Sequence, residues 1–229
     1  MRFKDVFSII GPSMIGPSSS HTAGAIRLGR VARQLFGEMP ARAVIDLYGS
    51  FAETYQGHGT DLALVGGLLD YDTDDARIPD SLDHSEDLGM EVQFIERKTP
   101  AAHPNTAEMT LTKGDSQLTV RGASIGGGNV VVDRVDGFDV KFTAIYPTII
   151  ISHQDRTGII ADITSALRML NINIGYMDLD RKRRSGEAMT VIEVDSTIPV
   201  ELIRELCNIN SVTQVRKVDL SERGNQHEI

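Results

Sequence analysis

The chain has 229 residues, of which 41% are hydrophobic, 24% charged and 5% aromatic, enough for one large domain or two small ones. Its 23 Lys and Arg against 32 Asp and Glu leave a net charge of −9, which excludes general nucleic-acid binding, because that needs a basic face to neutralise phosphates. One cysteine, Cys207, excludes an internal disulfide framework, a self-contained iron–sulfur cluster and a cysteine-based zinc site. No apolar run approaches the roughly 20 residues of a bilayer span, and the apolar stretch near Met1 is too brief for a signal peptide. The expected address is cytoplasmic, with neither membrane nor nucleic acid as partner.

Residues Ile10 to Thr22 read as an irregular loop, because two Gly-Pro pairs break helix and strand alike. A helix is expected from Ala23, with apolar residues at helical spacing through Leu35 and Ser20 or Thr22 as N-cap. Ser18, Ser19, Ser20, His21 and Thr22 then collect at a helix N-terminus, where unpaired amides and positive partial charge suit a carboxylate or phosphate. A flexible linker with a capping Thr is the alternative. A second cluster, Gly57-His58-Gly59-Thr60-Asp61, exposes His58 between glycines, with Thr60 or Asp61 capping a helix from Leu62. The acidic run from Asp70 to Asp87 lacks calcium-loop spacing and reads as a solvated loop. In the third cluster, His103-Pro104-Asn105-Thr106, proline pushes His103 toward extended backbone, and an ordinary turn reads equally well. The fourth, Ser124-Ile125-Gly126-Gly127-Gly128-Asn129, lies between strands Gln117–Val120 and Val130–Val132. It is an amide nest for an anion or a flexible turn, and not a Walker loop, since the Gly-Lys-Ser/Thr end and the following helix are missing.

From Tyr146 the pattern is regular. A β-branched run, Tyr146 to His153, predicts a buried strand, and Ile159, Ile163, Ala166 and Leu167 predict a helix after the turn Asp155–Gly158. Strands are expected over Asn171–Leu179, Glu187–Val194 and Val212–Val218, with a polar hairpin tip from Arg181 to Gly186 and a helix over Val200–Cys207 behind Pro199. The order βαββαβ is the split βαβ, ferredoxin-like arrangement. Charge is uneven: Met1–Tyr146 holds 13 basic and 20 acidic residues, Pro147–Ile229 holds 10 and 12.

Asp155-Arg156-Thr157-Gly158 running into the helix, followed by Leu167-x-x-Leu170-Asn171-Ile172-Asn173-Ile174, resembles the ACT domain, a small-molecule regulatory module, over Tyr146 to about Leu220. That resemblance implies ligand contacts at His153, Asp155, Gly158 and Asn173, or a module that binds nothing and only pairs side by side with another copy. The four clusters, in this order and with this C-terminal module, resemble the β subunits of bacterial two-chain iron–sulfur L-serine dehydratases over essentially the whole chain. The resemblance implies an α/β (α+β) fold. An N-terminal domain over 1–142 would be related to the allosteric-substrate-binding domain of a phosphoglycerate dehydrogenase. An ACT domain over 146–220 and a tail over 221–229 would follow. It further implies conversion of L-serine to pyruvate and ammonia, a heterodimer with a cysteine-rich α subunit, and a [4Fe–4S] cluster whose ligands lie on that partner. No metal is expected on this chain. Residues implied for the shared site are His21 and His103 as catalytic candidates, and Ser18, Ser19, Ser20, Thr22, His58, Asn105, Gly126 and Gly127 as substrate-binding candidates. Which histidine is the base stays open. A non-catalytic amino-acid sensor is the competing reading, and a stand-alone hydrolase using Ser20 and His21 is disfavoured because adjacent residues rarely face one another.

Overall fold

The structure, a computed structural model, describes residues 12–184 and 186–221. Ile10 and Gly11 of the expected loop, and all but Ser221 of the expected tail, lie outside these residues. A five-residue π-helical turn, Ser19–Ala23, leads directly into helix α1, Gly24–Phe36. Strand β1 (Arg42–Tyr48), helices α2 (Ser50–Thr54), α3 (Thr60–Leu68) and α4 (Ser81–Asp87) and strand β2 (Glu91–Arg97) follow. Four more strands complete this half: β3 (Thr106–Lys113), β4 (Ser116–Gly126), β5 (Asn129–Val135) and β6 (Phe138–Phe142). They form one six-stranded sheet in the order β2-β1-β3-β4-β5-β6. Only β1 and β2 run parallel in this sheet, as the helical connection between them requires; β3 lies antiparallel to β1, and β3 to β6 are antiparallel neighbours joined by short turns.

The second half contains β7 (Thr148–Gln154), α5 (Ile159–Met169), β8 (Ile174–Arg181), β9 (Glu187–Val194), α6 (Val200–Asn208) and β10 (Val212–Val218). The sheet order is β10-β7-β9-β8, the split arrangement expected from the sequence. Strand β7 is apolar on both faces for a visible reason. Ile149 and Ile151 pack with Ile159, Ile163, Leu167, Leu202 and Leu206 of the helices. Ile150, between them in sequence, joins Met189, Val191 and Val218 in the core of the first half. A strand covered on both faces reads as a continuous apolar run.

Helix α1 is the shared element, buried along most of its length and in contact with both sheets. Arg30, 1% exposed, reaches Asp70 at 3.1 Å and Asp72 at 3.3 Å and donates to the carbonyl of Leu220. One turn on, Gln34 reads both backbone atoms of Asp219: its Oε1 accepts from the amide at 2.7 Å, and its Nε2 donates to the carbonyl at 3.3 Å. Helices α1 and α3 touch backbone to backbone where Gly29 meets Gly67. A Cβ on Gly67 would lie 2.2 Å from the Ile26 carbonyl, and one on Gly29 would lie 2.3 Å from the Leu64 carbonyl.

Two expectations change. The strand expected from Asn171 begins at Ile174, because Asn171 adopts a left-handed φ of 55° that closes α5, its amide and that of Ile172 returning to Arg168 and Leu167. The acidic run is not a solvated loop throughout: Asp70 and Asp72 pair with Arg30, Asp75 pairs with Arg77 at 2.7 Å, and Ser81–Asp87 is helix α4.

Adjacent glycines of α3 give opposite expectations. Gly67→Ala pushes two helix backbones apart and is expected to destabilise the chain by about 2–4 kcal/mol. Gly66→Ala meets only ordinary contacts, 3.5 Å or more away, and is expected to be neutral or stabilising by about 0.5–1 kcal/mol. Urea unfolding of the two variants checks this; equal effects would contradict the crossing.

Candidate functional site

Ser18, in extended backbone, caps the π turn: its carbonyl accepts from Thr22 N at 2.8 Å and its hydroxyl from His21 N at 3.2 Å. The cap is therefore neither Ser20 nor Thr22, and residues 19–23 are helical rather than irregular. The wider turn, closed by Gly24 N on the Ser19 carbonyl, moves the helix start upstream. Ser20 instead places its hydroxyl 3.1 Å from His21 Nδ1 and 3.3 Å from the Ser18 hydroxyl. Thr22 turns inward beneath Gly16 and is 2% exposed. The preceding residues are strapped down, Ile15 N donating to the Thr73 carbonyl and the Thr73 hydroxyl to the Ser13 carbonyl.

The His21 ring is held on several sides. Nε2 lies 3.1 Å from the Ser50 hydroxyl, the Phe51 ring meets it edge-on at 5.3 Å, and the His58 ring lies 4.8 Å away. Burial pulls the His21 pKa below 6.5, the nearby His58 lowers it further, and a hydrogen bond at Ser50 partly offsets both. His58 is exposed on the turn ahead of α3, where Gly59 takes the N-cap position expected for Thr60 or Asp61. A left-handed φ of 65° suits glycine there, and the Asp61 carboxylate accepts from Leu62 N. Ser50 escaped the sequence reading; its only signal was Tyr48-Gly49-Ser50, a glycine at a strand-to-helix corner.

The third and fourth clusters close around the same elements. Pro104 offers its carbonyl to Phe51 N at 3.3 Å, so the His103–Asn105 turn rests on the Ser50 corner. His103 Nδ1 accepts from Asn105 N, and the Asn105 carbonyl accepts from Ser124 N at 3.0 Å. Strand β4 runs through Ser124 to Gly126, six residues beyond the expected end, and Gly126, Gly127 and Gly128 close the hairpin with positive φ. Arg27 of α1 donates to the Gly128 carbonyl at 3.0 Å, and Gly128 lies against Pro12 and Ala23. Among the described residues, the buried hydroxyls of Thr22, Thr60 and Ser124 have no hydrogen-bond partner. Buried hydroxyls normally find one, so this region has unused polar capacity.

The residues expected at an ACT ligand site do not meet within one chain. His153 is 2% exposed on β7, its Nε2 2.8 Å from the Thr190 hydroxyl and its Nδ1 3.1 Å from the Gln154 carbonyl. Asp155 pairs with Arg181 at 3.1 Å, and Gly158 caps α5 with a φ of 88°. Asn173 sits at the opposite end of the sheet, donating to Asp195 at 2.5 Å, because Gln154 pairs with Glu187 whereas Ile174 pairs with Val194. Asn173 borders an open groove of about 340 Å³ that Thr164, Leu167 and Asn171 also line. Among the described residues no group of three His, Cys, Asp or Glu side chains could hold a metal ion, and no helix is long and apolar enough to cross a membrane. Cys207, exposed on α6, is one thiol, so the donor set of this chain does not fit an iron–sulfur cluster.

A family model described as the serine dehydratase beta chain matches residues 3–135, and an ACT domain model matches residues 147–211. The probable L-serine dehydratase beta chain of Bacillus subtilis is 44% identical over 218 residues, 95% of this chain and 99% of that one. The L-serine dehydratase beta chain of Peptoniphilus asaccharolyticus is 30% identical over 217 residues, 93% and 97% of the two chains. A D-3-phosphoglycerate dehydrogenase of Bacillus subtilis is 28% identical over 134 residues, 56% of this chain but 25% of the enzyme.

The lowered pKa of His21 has a stability consequence with a definite sign. Below 6.5 the unfolded chain binds the proton more readily than the folded one. The contribution of His21 is therefore complete above pH 6.5 and is lost as pH falls through the folded value beneath it. The melting temperature of wild type minus that of His21→Gln is expected to fall between about pH 7 and pH 5; a flat difference would contradict an imidazole whose proton affinity folding lowers.

Proposed function

The chain belongs to the serine dehydratase beta chain family, and we propose that it forms, with a cysteine-rich α subunit, the enzyme that converts L-serine to pyruvate and ammonia. One observation carries the reading for this chain's own residues. Four clusters spread over some hundred residues of sequence link into one network: His21 meets Ser50 and His58, the Ser50 corner rests on the His103–Asn105 turn, and Asn105 accepts from Ser124. The reaction removes the α-proton and β-hydroxyl of serine; the resulting enamine tautomerises to an imine, which hydrolyses to pyruvate and ammonia. A base that accepts an α-proton must be unprotonated, and burial together with the nearby His58 pulls the His21 pKa down, in favour of that form. We assign His21 as that base, with His103 as the second candidate. The hydroxyls of Ser18, Ser19, Ser20 and Thr22, the side chains of His58 and Asn105, and the Gly126–Gly127 turn are assigned to serine. The reading also assigns a [4Fe–4S] cluster to the α subunit, because this chain supplies one thiol. The ACT module is assigned to self-association and regulation, with His153, Asp155, Gly158 and Asn173 as its ligand contacts. Since the structure sets Asn173 at the far end of the sheet from the other three, such a pocket requires a second copy to complete it.

The test is serine deamination by this chain alone and co-expressed with the α subunit, after anaerobic reconstitution with iron and sulfide. Pyruvate is expected only with the partner, and His21→Ala in that complex is expected to lower kcat by about 10²–10⁴-fold. An unchanged rate in His21→Ala would remove His21 as base. Tight amino-acid binding by this chain, without turnover in any combination, would favour the sensor.

A further inference from the structure

Ser50 stands where two clusters meet. It opens α2 at the corner after β1, and Gly49 before it has φ 53° and ψ −128°, a conformation open to glycine and strained for other residues. A Cβ on Gly49 would also lie 2.7 Å from the Pro104 carbonyl oxygen and 2.9 Å from its Cα. The corner is thus pressed against the His103–Asn105 turn, and Phe51 N donates across the same junction. The Ser50 hydroxyl stands at the first residue of α2. It points across 29 residues of sequence to His21 Nε2 at 3.1 Å.

We propose that Ser50 is the positioning residue of His21. The ring has two nitrogens and each faces a serine hydroxyl, Ser20 at Nδ1 and Ser50 at Nε2. Ser20 is the adjacent residue on the same π turn as His21. Ser50 belongs to a different element, fixed by the sheet on one side and by Pro104 on the other, so it anchors the ring to the rest of the protein. A neutral imidazole carries one donor and one acceptor, and a hydroxyl can serve either, so the pair of serines holds the ring in plane while a proton is gained or lost. The Phe51 edge and the His58 ring then limit rotation about the ring axis. Ser50 acts through His21, and only the consequence for turnover rests on the reading of this chain as a dehydratase subunit.

The experiment uses the full chain labelled with ¹⁵N-histidine, the His21 signals being assigned by their loss in His21→Gln. Ser50→Ala is expected to change the ¹⁵N shifts of the His21 ring, with little change at the other five histidines, and Ser50→Thr, which keeps the hydroxyl, to restore them. In the reconstituted complex, Ser50→Ala is expected to lower kcat by about ten- to a hundredfold, the range for removing a group that orients a functional imidazole, with KM changed less than about threefold. Ser50→Thr is expected to recover most of that loss. Unchanged His21 signals in a folded Ser50→Ala chain would overturn the proposal, as would a loss of kcat that Thr fails to recover. An inactive wild-type complex would overturn the dehydratase reading and leave the ring signals as the deciding measurement for Ser50.

Discussion

Where Gly29 meets Gly67, two helices approach more closely than any side chain allows, and the candidate site depends on that approach. Helix α1 begins with the π turn that carries His21, and α3 begins just after His58. Letting the two backbones touch brings these N-terminal ends side by side, so the two imidazoles lie 4.8 Å apart. A side chain at either glycine would separate the helices and with them the rings. The close fit is a local one: Gly66, next in sequence, faces Tyr71, Ile78 and Ser81 at ordinary distances.

Around this crossing the molecule divides its labour. The two sheets and the helices make rigid ends, and loops of small residues hold the polar groups between them. Few charges enter that space. Arg27 donates to the Gly128 carbonyl, and Arg30 pairs with Asp70 and Asp72. The imidazole meets hydroxyls, an aromatic edge and another imidazole; burial and the second imidazole favour its uncharged form, and the bond at Ser50 partly offsets them.

The C-terminal module was the most legible part of the sequence. Its strands and helices carry strong periodic signals, and the apolar run Ile149-Ile150-Ile151 announced a strand buried on both faces. What covers the second face of this sheet was not legible, because it includes helix α1, far away in sequence. The four motifs of the first half were visible as clusters, and their meeting was not. That meeting depends on backbone contacts of Gly49, Pro104, Asn105 and Ser124, which leave no pattern in residue type. Caps failed for a local reason. Helix rules assume an α turn at the first position, whereas a π turn shifts the cap back to Ser18. Ser50 was missed since a lone serine beside a glycine looks like any strand-to-helix corner.

Gln34 grips the backbone of Asp219 across 185 residues, and Arg30 reaches Leu220 across 190. The helix that follows His21 is therefore tied to both sheets, and its ties to the second sheet close a loop of nearly two hundred residues. Such a long closure is slow to form and weakens the helix until it does. Strand β10 and the residues just after it thus act as a clasp: a cut between the two sheets would leave all four motifs in place and release this grip on the helix that carries His21.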